Sequence, residues 1–157
     1  MKRNSTRSLK ATAIAVMLIC IVNAVHVTIQ GLGIIAYPEE FGATWFTDAR
    51  WLQIIMLAGR IIGGLGFSVL ISIFIFKSFK ALKNGTIFPK GNILLLYLSA
   101  GALFLYRFCY TNMAMAVGID RNICIDTDDL IMPLLLVMFA MLYTFAVRVS
   151  EENRLTI

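Results

Sequence analysis

The sequence predicts an all-α, integral membrane four-helix bundle with both termini in the cytoplasm, and three observations support this prediction. First, the 157-residue chain is 59% hydrophobic, whereas a soluble domain is usually about 45–50% apolar. Second, the apolar residues fall into four runs, each long enough to match the roughly 20 residues that cross a bilayer. Third, most basic residues lie beside these runs, in segments that would share one side of the membrane.

The four runs define the spans of a single membrane domain, residues 1–157. The predicted spans are 11–36, 51–76, 93–118 and 130–149. As helices rising about 1.5 Å per residue they reach or exceed about 30 Å, so tilt or projecting ends would take up the surplus. A basic start followed by an apolar run is also typical of a signal peptide. Because the first run continues to Ala36, a retained span is favoured.

The counts of Lys and Arg predict the orientation of the spans, because basic residues favour cytoplasmic loops. The N-terminal segment carries four basic residues, the loop between spans two and three carries four, and the tail carries two. The other two loops carry only Arg50 and Arg121 and are otherwise acidic. Both termini and the middle loop are therefore expected inside. This distribution also argues against direct nucleic-acid binding, despite the net charge of +5.

The middle loop is predicted to begin as an amphipathic elbow, over about residues 77–92, that continues span two. Phe76, Phe79 and Leu82 recur at helical spacing, with lysines on another face. Asn84-Gly85 then ends the helix, because Gly accepts the left-handed conformation found at helix C-termini. The elbow is interpreted as a membrane-surface element, and a docking face for a cytoplasmic partner is the alternative.

Two arginines, Arg60 and Arg107, interrupt runs that are otherwise apolar, and His26 lies at a similar depth in span one. Counted from the outer span ends at about 1.5 Å per residue, the three lie about 13–17 Å deep. Tyr106 and Tyr110 are close to Arg107 on span three. These five residues are the candidate lining of an outward-facing, positively charged ligand pocket.

A charged side chain at bilayer depth needs a partner, water or a route to the interface. No Asp or Glu interrupts the four runs, so the sequence offers no acidic partner at the same depth. We therefore favour a structural role, in which the arginines extend to the outer interface or acidic loop residues fold over them. The alternative is a small oligomeric transporter, channel or anionic-ligand binder.

Glycines on span two predict close packing between helices. Gly59 and Gly63 form a GxxxG pair, which permits two helix backbones to approach each other. We interpret the pair as a contact within one chain, with contact between copies in a homo-oligomer as the alternative.

The sequence contains no pattern typical of an enzyme, a metal site or a cofactor site. The single histidine, His26, has no second histidine for bis-histidine haem ligation. The three cysteines form no CxxC pair, and only Cys124 falls in a loop. The aspartates within residues 126–129 lack the Gly and distal Glu of an EF-hand, so we interpret them as residues that start a helix. We expect a protein without catalytic activity, metal or cofactor.

Two cytoplasmic segments carry a resemblance to a known family. Residues 76–92 read FKSFKALKNGTIFPKGN, and residues 151–157 read EENRLTI. With four spans and this length, they resemble the bacterial domain-of-unknown-function 2975 family of small four-helix membrane proteins. The residues that fit the family pattern are Leu82, Lys83, Gly85, Phe88 and Asn92 in the loop, and Glu151, Glu152, Asn153, Leu155, Thr156 and Ile157 in the tail. Arg154 stands where the family has an acidic residue.

The resemblance implies a location and a role more than a reaction. It implies a multi-pass protein of the bacterial inner membrane. Genes of the family commonly lie beside small helix-turn-helix regulators, so such a regulator is the expected cytoplasmic partner. The candidate partner-binding residues are then nine of these: Leu82, Lys83, Gly85, Phe88, Asn92, Glu151, Glu152, Asn153 and Leu155. The expected function is regulation or interaction, coupling the membrane to a cytoplasmic partner.

Overall fold

The computed structural model of the protein describes residues 2–84 and 88–155, with the side chains of residues 10–84 and 88–152. Every regular element in these ranges is helical. The elements are α1 (Lys2–Ala36), a 3-10 helix (Pro38–Phe41), α2 (Arg50–Lys83), α3 (Gly91–Thr111), α4 (Met113–Ala116) and α5 (Thr127–Leu155). Helices α1, α2, α3 and α5 are long and apolar enough to cross a membrane. The prediction of an all-α chain with four long apolar helices is confirmed.

Helix α2 extends beyond the predicted end of span two. It is 34 residues long and therefore about 51 Å from end to end. It continues without a break to Lys83, so the predicted elbow begins as part of the same helix, with basic residues in the last turn that complement the negative end of the helix dipole. Asn84 forms its C-cap. Gly85, which was predicted to end it, lies outside the described residues.

The third span is shorter than the predicted 93–118, because α3 ends at Thr111 and the one-turn helix α4 follows. Asn112 accounts for the break. Its side-chain amide donates to the carbonyls of Phe108 and Cys124, both at 2.8 Å, and its side-chain oxygen accepts the Cys124 N–H at 2.8 Å. A short polar side chain that binds backbone groups in this way competes with continuation of the helix.

Each of the four long helices packs against the next long helix along the chain. Close backbone contacts between the described residues join α1 to α2, α2 to α3 and α3 to α5, and none joins α1 to α3 or α5. Phe74 of α2 also reaches Tyr143 of α5, with ring centroids 5.9 Å apart. The arrangement is therefore open along one side, between α1 and α5.

Glycines allow a close approach between the backbones of α2 and α3. A Cβ atom on Gly63 would lie 2.6 Å from the backbone nitrogen of Tyr106, and one on Gly59 would lie 2.7 Å from Sγ of Cys109. No larger residue fits at Gly63 unless the helices move apart. The GxxxG pair thus packs two helices of the same chain, as predicted.

One end of the molecule is closed by a cap, which we define as residues 37–49 together with α4; we call this the loop end and the opposite end the elbow end. Gln53 of α2 is fully buried and holds the cap in place. Its Oε1 accepts the Phe46 N–H at 2.7 Å, and its Nε2 donates to the Thr44 carbonyl at 2.9 Å and to two α4 carbonyls at 3.4 Å. A buried apolar cluster lies at this end: Ile34, Ala43, Met56, Leu57, Cys109, Met115 and Ala116.

The cap is also tied to the second loop of the loop end. The N–H of Thr44 donates to the Val117 carbonyl at 2.9 Å, and Gly118 follows with φ of 81°. A Cβ atom on Gly118 would collide with the carbonyl oxygen of Thr44. Both the backbone angle and the close approach therefore require glycine. An ion pair of 2.9 Å between Arg121 and Asp48 joins the same two loops at the surface.

Candidate arginine cleft

The structure brings the five predicted pocket residues together in one cleft, which we call the arginine cleft. The cleft has a volume of ≈ 590 Å³. Its lining residues are His26 and Gln30 of α1, Arg60 of α2, Tyr106, Arg107 and Tyr110 of α3, and Met113 of α4. Met113 was not among the predicted residues, because a methionine within an apolar run is read as a packing residue.

Arg60 is the most enclosed charge in the cleft, with 5% of its surface exposed. Its Nη2 donates to Oε1 of Gln30 at 2.8 Å, and its Nη1 lies 3.5 Å from the sulfur of Met113. The guanidinium carbon lies 5.6 Å from the ring centroid of Tyr110. Within the described residues Nε has no acceptor, and no carboxylate forms an ion pair with Arg60. Among the described residues, its charge is therefore met by neutral groups only.

The direction of the Arg60 side chain follows from its neighbours on α2. Residues three and four apart share a helix face, so Arg60 lies on the face that carries Gly63 and Gly64. Gly63 approaches Tyr106 of α3, and a Cβ atom on Gly64 would lie 3.3 Å from both Tyr106 and Val27 of α1. Arg60 therefore projects into the angle between α1 and α3.

Arg107 has an acidic neighbour. Its Nε lies 3.9 Å from Oδ1 of Asp129, a fully buried residue in the first turn of α5. Asp129 is already engaged, because Oδ1 accepts the Thr111 hydroxyl at 2.6 Å and Oδ2 accepts the Asp126 N–H at 3.1 Å. The ion pair is long, and the Arg107 Nε has no hydrogen-bond acceptor among the described residues.

Asp129 corrects the expectation that no acidic residue lies at the depth of the arginines. Because α3 ends one turn beyond Arg107, the start of α5 lies beside that turn, and Asp129 reaches it. A loop-end acid folded over an arginine was one form of the favoured structural role, and it is right for Arg107. It is wrong for Arg60, which neither extends to the end of α2 nor meets a carboxylate in the described chain.

The predicted helix-start role of the aspartates before span four is confirmed. Asp128 and Asp129 lie in the first turn of α5, where carboxylates oppose the positive end of the helix dipole. Across the described residues, no group of three or more His, Cys, Asp or Glu side chains is placed to hold a metal ion.

The elbow and the tail, which carry the candidate partner-binding residues, meet at the elbow end. Nζ of Lys90 lies 2.8 Å from Oε1 of Glu151. Phe88 packs edge-on against Tyr143, with centroids 5.5 Å apart, and the Tyr143 hydroxyl donates to the Pro89 carbonyl at 3.4 Å. Residues 88–90 of the elbow are therefore packed on the C-terminal part of α5.

The candidate partner-binding residues differ in what they present to solvent. Asn92 is fully buried and donates from Nδ2 to Oγ of Ser78 at 2.8 Å, so it serves internal packing and its side chain does not reach a partner. The exposed candidates are Leu82, Lys83, Glu151 and Glu152, and Phe88 is half-buried. The candidates that lie outside the described side chains are Gly85, Asn153 and Leu155.

No family model matches the chain, and no curated protein or solved structure gives a significant match to it. The resemblance to the domain-of-unknown-function 2975 family therefore rests on the elbow and tail motifs alone. The geometry of the arginine cleft and of the elbow end carries the functional argument.

Proposed function

We propose that the protein is a multi-pass protein of the bacterial inner membrane, with termini and elbow in the cytoplasm, and that its arginine cleft binds an anionic group. The observation that carries this proposal is the environment of Arg60. A buried charge with only neutral partners is costly, and more so at membrane depth. A bound anion offsets that cost, which favours occupancy of the cleft.

The lining of the cleft suits phosphate or carboxylate oxygens. A guanidinium carries five N–H donors in a fixed planar arrangement that matches such oxygens. Two guanidinium groups, those of Arg60 and Arg107, belong to residues that line the cleft. Arg107 is held by Asp129 only at 3.9 Å, so it can turn toward an anion without breaking a hydrogen bond. Tyr106 and Tyr110, stacked with centroids 6.1 Å apart, add hydroxyl donors.

The test compares Arg60→Gln with Arg148→Gln, in which the same change is made at an exposed arginine of α5. Each protein is placed in nanodiscs of zwitterionic lipid, and its Tm is followed as inorganic phosphate, acetate or an anionic lipid is added. We expect at least one of the three probes to raise the Tm of the wild type and of Arg148→Gln, and to leave Arg60→Gln unchanged. If all three proteins respond alike to every probe, the cleft is not an anion site.

The contacts at the elbow end favour a second candidate function, the binding of a cytoplasmic partner. The Lys90–Glu151 ion pair joins the two motifs of the family resemblance, and the Phe88–Tyr143 contact packs the first motif on α5. By analogy with the family, a helix-turn-helix regulator is the proposed partner.

Co-purification from native membranes tests this second candidate. The full chain is compared with a chain that ends after residue 150 and with the substitution Leu82→Lys. A partner is expected with the full chain and is expected to be lost in both variants. Failure to recover a cytoplasmic protein whose capture depends on the tail would overturn the candidate and leave the anion site untouched.

A further inference from the structure

We infer that the anion of the arginine cleft is the phosphate of an acidic phospholipid of the outer leaflet, which reaches Arg60 sideways through the opening between α1 and α3. This inference rests on the proposed anion site and specifies its ligand. Four observations support it: the closure of the loop end, the side opening, the depth of the arginines and the sign of the charge in the cleft.

The loop end is closed to a solute that approaches along the helix axes. Gln53, Met56 and Leu57 lie on α2 between its first residue and Arg60, and all three are buried. Gln53 binds the cap through its hydrogen bonds to Phe46 and Thr44. Packed side chains therefore separate Arg60 from the water beyond the cap.

The cleft is open at the side of the molecule instead. In the described chain α1 makes no close backbone contact with α3 or α5, and His26 and half of the Tyr110 surface are exposed. Val22 and Ile29 share the helix face of His26 and are 68% and 66% exposed. In a bilayer, hydrocarbon chains cover such residues, so the mouth of the cleft borders the lipid.

The arginines lie at the depth that a lipid headgroup can reach. Centred on a hydrocarbon layer about 30 Å thick, α2 places Arg60 about 10 Å from the midplane and about 5 Å inside the boundary. The same estimate for α3 places Arg107 about 9 Å from the midplane. Arginine side chains extend toward the interface readily, so a phosphate at the boundary lies within reach of the guanidinium groups of Arg60 and Arg107.

The charge in the cleft selects among phospholipids. Two guanidinium groups attract the phosphate, and the nearest carboxylate, Asp129, is fully buried with both oxygens occupied by Thr111 and Asp126. A zwitterionic headgroup brings its own cation, which is repelled by Arg60 and meets no carboxylate among the described residues that line the cleft. The cleft therefore favours phosphatidylglycerol, which is anionic, over phosphatidylcholine.

Lipid binding is measured in phosphatidylcholine nanodiscs that contain increasing fractions of phosphatidylglycerol. Bound lipid is counted by native mass spectrometry, and the Tm is recorded. We expect about one retained phosphatidylglycerol per chain and a saturating rise in Tm. Arg60→Gln should weaken binding by about tenfold or more, because hydrogen bonds to charged groups are lost, whereas Arg148→Gln should bind as the wild type does.

A second variant covers the possibility that Arg60→Gln does not fold. Arg60→Lys retains the charge and loses the planar fork, so it should bind the lipid more weakly than the wild type while remaining folded. Inorganic phosphate is also added to pure phosphatidylcholine discs. This measurement distinguishes binding of free phosphate from binding of a lipid headgroup.

The outcomes separate this inference from the proposed anion site. Arg60-dependent binding of phosphatidylglycerol supports both. Arg60-dependent stabilisation by soluble phosphate or acetate, with no preference for phosphatidylglycerol, overturns the lipid and leaves the anion site standing. Equal responses of the wild type and both Arg60 variants to every probe overturn both.

Discussion

Two arginines in apolar helices meet different environments in this molecule. Arg107 lies beside a buried carboxylate, whereas Arg60 is enclosed by an amide oxygen, a thioether and an aromatic ring. The difference arises from position along the helix: Arg107 is one turn from the end of α3, and Arg60 is well inside α2. A charge near a helix end can be met by a residue of the next element, and a charge farther in depends on what enters the cleft.

Asp129 is expected to stabilise the fold chiefly through its hydrogen bonds. Asp129→Ala should lower the free energy of unfolding by about 2–3 kcal/mol, because the Thr111 hydroxyl and the Asp126 N–H lose their acceptor. Arg107→Gln should cost about 1 kcal/mol or less, because the ion pair is long and the Arg107 side chain is 30% exposed. Chemical denaturation in detergent checks both values. Equal costs for the two variants would contradict this assignment.

Gln53 of α2 is expected to be important for holding the cap in place. Gln53→Leu retains the volume and removes the acceptor of the Phe46 N–H, which should cost about 1–3 kcal/mol. The loss should be local, so hydrogen exchange at residues 43–46 should become faster while exchange in α3 stays slow. Uniform acceleration across the chain would show that Gln53 does not act through the cap.

At the scale of elements, the contact between α2 and α3 determines the shape of the cleft. Gly59 and Gly63 let the two backbones approach, which brings the Tyr106 to Tyr110 turn of α3 beside Arg60. A wider spacing would separate the two guanidinium groups. The small residues therefore contribute to the site although they carry no functional group.

Replacing Gly63 by Ala should destabilise the fold by about 1–3 kcal/mol, because its Cβ would lie 2.6 Å from the backbone of α3 and overpacking forces the backbone to shift. Gly101→Ala is the matched control. A Cβ atom there meets nothing within 4 Å, and Ala has the higher helix propensity, so this change should be neutral or stabilising. Unfolding in detergent measures both, and a smaller loss for Gly63→Ala than for Gly101→Ala would contradict the close packing.

The four long helices could be predicted from the sequence because composition and run length determine them. The break after α3 could not, because Asn112 within an apolar run looks like an isolated polar residue until Cys124 returns to it. The partner of Arg107 depends on that break. Depth along the spans was enough to group the five cleft residues, which the structure places in one cleft. Depth does not show which neighbours surround Arg60, because side-chain contacts between helices depend on how each helix is rotated about its own axis.

At the scale of the whole molecule, the loop end and the elbow end differ in charge, and this difference underlies the proposed orientation. The loop end carries Asp48, Asp120, Asp126 and Asp128, and the elbow end carries Lys77, Lys80, Lys83 and Lys90. In the proposed orientation the N-terminal segment and the elbow would face the cytoplasm, and both are basic, in line with the positive-inside rule.

Cysteine labelling in intact cells tests this orientation. Cys124 is exposed at the loop end, whereas Cys109 is buried and Cys20 lies within α1. A membrane-impermeant maleimide should label Cys124 in a chain that carries Cys20→Ser and Cys109→Ser. The substitution Lys83→Cys is then made in the same chain together with Cys124→Ser. Its new cysteine should react with the maleimide only after the cells are opened. The reverse pattern would overturn the orientation.

The chain-order packing of the helices bears on how the protein is made. Each long helix after α1 packs against the long helix synthesised just before it. During synthesis, each new helix would therefore find the helix on which it packs already in the membrane. No helix would remain unpaired until a distant segment of the chain is made. Contacts that are local in sequence also form quickly. Assembly of this protein would then proceed hairpin by hairpin during insertion. Helix α1 would be in the membrane first, and α2 would pack on it.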